Sequence, residues 1–100
     1  MDVSREIRRA VDTGTVSFGN KQAEKSVLKG VAELIIISSN APLALNERIR
    51  QLCTVSNVSL YKFEGTGLSL GSICGKPFVV SVLAIEKAGK SKVLDAVKVK

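Results

Sequence analysis

Histidine is absent from this chain, and with it the commonest general base and the commonest metal ligand. A cysteine–histidine nucleophile is therefore excluded. No Cys-x-x-Cys spacing, Gly-x-Ser-x-Gly elbow or Walker-type phosphate loop occurs. The candidate loops hold no paired acids for general acid–base work. An enzyme thus ranks last among the functional classes, and no catalytic residue, metal or cofactor is assigned. Cysteine is also scarce. Cys53 and Cys74 each sit in an apolar periodic stretch and read as small buried core residues. A reducing compartment disfavours a disulfide between them. No apolar run is long enough to span a bilayer, and the N-terminus has no signal-peptide pattern. The expectation is a soluble, cytoplasmic protein with no membrane partner. Two prolines and eight glycines point neither way on thermostability.

What the chain has is positive charge. Fifteen Lys and Arg stand against nine Asp and Glu, a net +6 and a pI near 9.6. That excess on a small domain points to an anionic partner, with nucleic acid first and an anionic membrane surface a distant second. The chain is 45% apolar over 100 residues. This suits a single domain over residues 1–100 whose core needs neither disulfide nor metal.

The charge is organised most clearly in residues 19–30. Gly19 and Asn20 mark a helix start, and Gly30 marks its end. Ala23, Val27 and Leu28 form a narrow stripe for burial. Lys21, Lys25 and Lys29 recur at i, i+4 and i+8 as a second stripe. Like charges at that spacing cost a few tenths of a kcal/mol per pair. Lys21 also lies in the first turn, where the helix dipole prefers an anion. Glu24 offsets only part of this repulsion. Local conflicts of this kind tend to fall at functional sites. A helix N-terminus with free amides and a lysine row suits a phosphate or a base carbonyl. A plain solvated lysine face is the competing reading.

Elsewhere the pattern alternates. Residues 2–13 predict a helix with Val3, Ile7, Ala10 and Val11 on one face. Residues 15–18 predict a short strand. Residues 33–39 are an unbroken apolar run, which predicts a strand buried on both faces. Asn40-Ala41-Pro42 is a turn into a helix over 42–54, with Leu45, Ile49, Leu52 and Cys53 inward. Residues 58–63 predict a third strand. Thr66 is a candidate N-cap for a short helix over 68–74. Residues 78–85 predict the last and longest strand, 88–91 a turn, and 92–97 a final short helix. The order implies a three-layer α/β/α sandwich around a central four-stranded mixed sheet. Periodicity leaves the strand order open.

In such sheets ligands bind at loops on one end. Three loops are candidates to share an end. One is 18–21, basic and rich in amides. The second holds Asn40, whose amide can both donate and accept. The third is 74–78, with Lys76 and Phe78 beside Pro77. A cationic patch beside an aromatic platform is how proteins hold irregular RNA, whose splayed bases need a surface to stack on. Phe78 as a core residue at a strand start, and Asn40 as an ordinary turn residue, are the competing readings.

These residues, taken together, resemble a known family. Asp12-Thr13-Gly14 leads into Gly19 and Lys21. Leu34-Ile35-Ile36-Ile37 is followed by Asn40-Ala41-Pro42. Then come Glu64-Gly65-Thr66, Leu70-Gly71, Gly75-Lys76-Pro77 and Ala88-Gly89-Lys90-Ser91. In this order the set is similar to the archaeal and eukaryotic L-thirty family of large-subunit ribosomal proteins. That family lies within the wider L-seven-A-like superfamily of kink-turn RNA binders. Where the wider superfamily has an Asn-Glu pair, this chain has Lys21-Gln22, which favours the ribosomal branch.

The resemblance implies an α/β/α sandwich that binds a sharply bent, internally looped RNA helix flanked by tandem G·A pairs. Its glycine–lysine pair matches Gly19 and Lys21, with Asn20 between them. Gln22 and Lys25 match positions facing the RNA groove, and the turn asparagine matches Asn40. The apolar loop under an extruded nucleotide matches Gly75, Lys76, Pro77 and Phe78. With Lys29 from the lysine row, these are the candidate RNA-binding residues. The expected partners are ribosomal RNA and neighbouring ribosomal proteins, with a monomer when free. Two alternatives remain. One is a kink-turn-binding component of another RNA–protein particle. The other is a protein-interaction domain of the same fold that does not bind RNA.

Overall fold

The computed structural model describes residues 3–39, 41–87 and 89. Eight elements follow one another: α1 (Val3–Thr13), β1 (Thr15–Phe18), α2 (Asn20–Leu28), β2 (Leu34–Ser38), α3 (Leu43–Ser56), β3 (Ser59–Phe63), α4 (Gly67–Ile73) and β4 (Val82–Lys87). The strands form one mixed sheet in the order β1-β4-β2-β3. β4 is antiparallel to both β1 and β2, and β2 is parallel to β3. The expected turn at 88–91 and helix at 92–97 fall on residues that, Gly89 apart, lie outside the described ones, as does residue 2.

Successive strand residues point to opposite faces, so each central strand serves two cores. Leu34 and Ile36 of β2, with Leu83 and Ile85 of β4, meet Ile7 and Ala10 of α1 and Leu70 of α4. Ile35 and Ile37, with Val82 and Ala84, meet Ala23 and Val27 of α2 and Ile49 and Cys53 of α3. The result is an α/β/α sandwich. All five residues of β2 are buried, as its unbroken apolar run predicts. Cys53 and Cys74 are free thiols in cores on opposite faces of the sheet, which rules out a bond between them.

Thr66 caps α4 as expected, its side-chain oxygen accepting from the Ser69 amide at 3.1 Å. α3 ends at Asn57, which takes up a left-handed conformation at φ 57°.

Two expectations are corrected. Leu28 does not join the buried stripe of α2. It is 69% exposed, while Ser26 is buried beside Ala23 and Val27. α2 ends at Leu28, and Gly30, at φ +73°, turns the chain back toward the sheet before another turn can cover it.

The second correction concerns residues 78–81, which are not strand. β4 starts at Val82. The Val80 amide donates to the Gly67 carbonyl at 2.9 Å and the Lys76 amide to the Gly71 carbonyl at 2.9 Å. Val80 and the loop before it therefore spend these backbone bonds on α4, and it is the Ser81 carbonyl, accepting from Ser38, that first reaches β2.

Ile36 is fully buried in the strand between β4 and β3. Ile36→Ala should cost about 2–5 kcal/mol. Urea unfolding would read this as a lower midpoint with an unchanged slope.

Candidate functional site

Antiparallel pairing sets which loops meet. Phe18 ends β1 opposite Leu83, and Ile37 of β2 lies opposite Val82. Ser38 is in register with Phe63, the last residue of β3. The loops after β1, β2 and β3 therefore leave from the end at which the chain enters β4. Backbone bonds tie them there. The Gly19 amide donates to the Val82 carbonyl at 3.0 Å, and the Ser38 amide to the Ser81 carbonyl at 2.8 Å. The Ser39 hydroxyl donates to the Gly65 carbonyl at 3.0 Å and accepts from the Gly65 amide at 3.2 Å. Asn40, the next residue, lies outside the described ones.

The start of α2 is open. Gly19 has φ +97°, a conformation that side chains resist, and a Cβ there would meet nothing within 4 Å. Its carbonyl accepts from the Ala23 amide at 3.0 Å. The Asn20 side-chain oxygen takes the Lys21 amide at 3.0 Å. No side chain caps the helix. The amides of Asn20 and Gln22 thus have no intrahelical acceptor and face outward at the positive end of the helix dipole. Lys21, Gln22 and Lys25 are exposed.

Across from this corner lies an aromatic and cationic pair of contacts. Lys76 Nζ sits 5.0 Å from the centroid of the Phe18 ring. Phe78 meets Phe18 edge to face, with centroids 6.5 Å apart and planes at 88°. Phe78 is 50% exposed, so of the two readings offered for it the surface one holds. Its backbone lies directly on α4. A Cβ on Gly71 would fall 2.1 Å from the Phe78 carbonyl oxygen, closer than any side chain allows. Pro77 is exposed beside it. Gly75 turns the loop at φ +73°. Gly19, Lys76, Pro77 and Phe78 are therefore brought together around Phe18, to whose ring sequence reasoning gave no role although it counted the residue in the 18–21 loop.

Lys29 is not part of this group. It follows α2 at the far end, about 12 Å along the axis from Lys21 at 1.5 Å per residue, and its charge acts on Glu86. Glu24 does not neutralise the row either. Its carboxylate is engaged by Arg48 of α3.

Glu86 was not anticipated. Its Oε2 accepts from the Ser26 hydroxyl at 2.6 Å and the Ser17 hydroxyl at 2.8 Å, joining α2, β1 and β4. Those two hydrogen bonds, and then Lys29, hold its carboxyl below the usual range. The sequence signal was Ser26, a hydroxyl set between Ala23 and Val27 on the buried stripe. Burial pushes the thiols of Cys53 and Cys74 up to about 11, so they stay protonated and unreactive at neutral pH. Among the described residues no group of His, Cys, Asp or Glu could hold a metal ion. No helix there is long and apolar enough to cross a membrane.

Comparison with known proteins agrees with the architecture. Residues 1–95 match the family described as "Ribosomal protein L7Ae/L30e/S12e/Gadd45 family". The chain belongs to this family. It is 43% identical over 97 residues to the large ribosomal subunit protein eL30 of Methanothermobacter thermautotrophicus, covering 97% of this chain and 99% of that one. To the eL30 of Methanosphaera stadtmanae it is 44% identical over 95 residues, covering 95% and 97%. To that of Methanocaldococcus jannaschii it is 39% identical over 100 residues, covering 100% and 91%. The family resemblance noted in the sequence is thereby established along nearly the whole chain.

The lowered Glu86 carboxyl has a pH consequence. A group with a depressed folded pKa contributes stability that is complete above its unfolded value, about 4.5 here. That contribution is lost as pH falls through the folded value. Glu86→Gln should therefore remove an acid-sensitive component of stability. Melting curves of the variant and the wild-type chain should differ most above the ordinary carboxylate range and converge as the pH falls well below it. A constant difference across that range would contradict the assignment.

Proposed function

We propose that this chain is a structural constituent of the large ribosomal subunit and that its loop end holds a sharply bent, internally looped RNA helix of the kink-turn type. The supporting observation is the juxtaposition around Phe18: open amides at the start of α2 on one side, Lys76 and the half-exposed Phe78 on the other. A straight duplex offers nothing to stack on an exposed ring, whereas an internal loop does. Membership of a ribosomal protein family, and relatives named as large-subunit proteins, support the ribosome as the setting. The chain works there as one unit, in the cytoplasm, against ribosomal RNA and neighbouring ribosomal proteins. It is not an enzyme. Free of the ribosome it is a monomer.

The roles divide by chemistry. Lys21 and Lys25 neutralise backbone phosphates and set the protein's position. The open amides of Asn20 and Gln22, with the side chains of Gln22 and Asn40, meet base edges at the G·A pairs, because the Gly19 and Lys21 amides are already taken within the fold. Pro77 and Phe78 support the extruded nucleotide, with Gly75 and Lys76 shaping that loop. Lys29 contributes long-range attraction only, because it stands at the far end of α2.

A gel-shift series with a kink-turn hairpin and a control whose G·A pairs are disrupted, at two salt concentrations, tests this. The wild-type chain should prefer the hairpin. Phe78→Ala should cost about 1–3 kcal/mol on the hairpin. Lys25→Ala should weaken both RNAs alike and flatten the salt dependence. Equal binding of hairpin and control by the wild-type chain would contradict the proposal. Unchanged hairpin affinity in Phe78→Ala would remove that ring from the site.

A further inference from the structure

We propose that Arg8 is a phosphate-binding residue of the same interface, extending it from α2 and the 74–78 loop onto α1. The proposal rests on the RNA-binding reading above. Arg8 Nε donates to both oxygens of Asp12 one turn away, at 3.2 and 3.1 Å. That pairing fixes the guanidinium and leaves both Nη atoms without an acceptor among the described residues. The guanidinium is pressed against Gly75. A Cβ at that position would lie 2.7 Å from Nη1, 3.0 Å from Cζ and 3.3 Å from Nη2. Gly75, at φ +73°, both turns the loop and makes room for it. Arg8 and Lys76 approach the Cys74 thiol closely enough that both charges act on it. Two cations thus flank the turn that leads into Phe78, with Asp12 offsetting one of them.

Arg8 brings a second positive charge to the loop that carries Lys76, and it remains about half exposed despite its partner. A guanidinium held by one Nε pair, with its other donors open, is shaped for a fork-like contact with phosphate. In the proposed complex the strand whose base rests on Phe78 would carry its backbone past that rim. α1 therefore becomes a third element of the footprint, although nothing in its sequence periodicity sets Arg8 apart from Arg5 or Arg9.

The test uses the full chain with Arg8→Met, which keeps the stem and removes the charge, and Arg8→Lys, which keeps the charge and loses the fork. Each is titrated against the kink-turn hairpin and the G·A-disrupted control over a range of salt, with melting temperature as the check on folding. Arg8→Met should bind the hairpin about ten-fold more weakly at low salt. Its plot of log affinity against log salt should be shallower by about 1. Arg8→Lys should keep the wild-type slope and lose only part of the affinity. A wild-type slope in Arg8→Met, whatever its affinity, overturns the proposal and leaves Arg8 as packing for Gly75. Failure of the wild-type chain to prefer the hairpin overturns the RNA reading itself, and the two failures are read in separate arms.

Discussion

The direction of β4 is the constraint on which the site depends. β4 runs antiparallel between β1 and β2, so the chain enters it at the end where β1 and β2 leave. Were β4 parallel to β2, residues 76–81 would enter from the opposite end of the sheet. Six residues of strand at about 3.3 Å each put that end roughly 20 Å away. Phe78 could not then touch Phe18, and the cation at Lys76 would have no ring beneath it. The Gly19-to-Val82 hydrogen bond is the local expression of this arrangement, because it joins the last step of β1 to the first residue of β4.

Charge is distributed with the same economy. Cations gather at the loop end and along α2, and three of the acids near them already have partners. Glu24 turns to Arg48, Asp12 to Arg8, and Glu86 receives two hydroxyls beneath α2. The lysine row is left largely uncompensated, a small loss for the free protein that a bound phosphate would offset. Rigidity comes from glycine. Gly71 lets the backbone of Phe78 lie on α4, and Gly19 takes a conformation that a side chain would resist while leaving open space in front of the helix. A ring and a set of amides held in place before binding lose less freedom on binding than mobile ones.

Much of the architecture was legible because the responsible signals are local. An unbroken apolar run of strand length, rich in β-branched residues, suits a strand covered on both faces, and β2 is one. Thr66 caps α4 because its oxygen reaches Ser69 within one turn. The strand order was not legible, since it rests on pairings between residues distant in the chain, from Leu34 with Ser59 to Phe18 with Leu83. The start of β4 was misread for the same reason. Phe78-Val79-Val80 has a strand's composition, but Gly67 and Gly71 claim its backbone from α4, and no strand period reveals a helix that competes for hydrogen bonds. Leu28 was misplaced because an apolar residue at the last position of a helix has no following turn to cover it. Within the candidate site, Lys76 and Phe78 stand out in the sequence because they carry their own chemistry. Phe18 and Arg8 do not, because what draws attention to them is what the fold lays against them.

The account turns on one end of the sheet being the RNA-facing end, and amide chemical shifts read that directly. Titrating a kink-turn hairpin into the 15N-labelled full chain should move the amides of residues 19–22 and 75–79 together, while those around Gly30 and Asn57, at the other end, stay still. Shifts concentrated at Gly30 and Asn57, with the Gly19 and Phe78 amides unmoved, would contradict it.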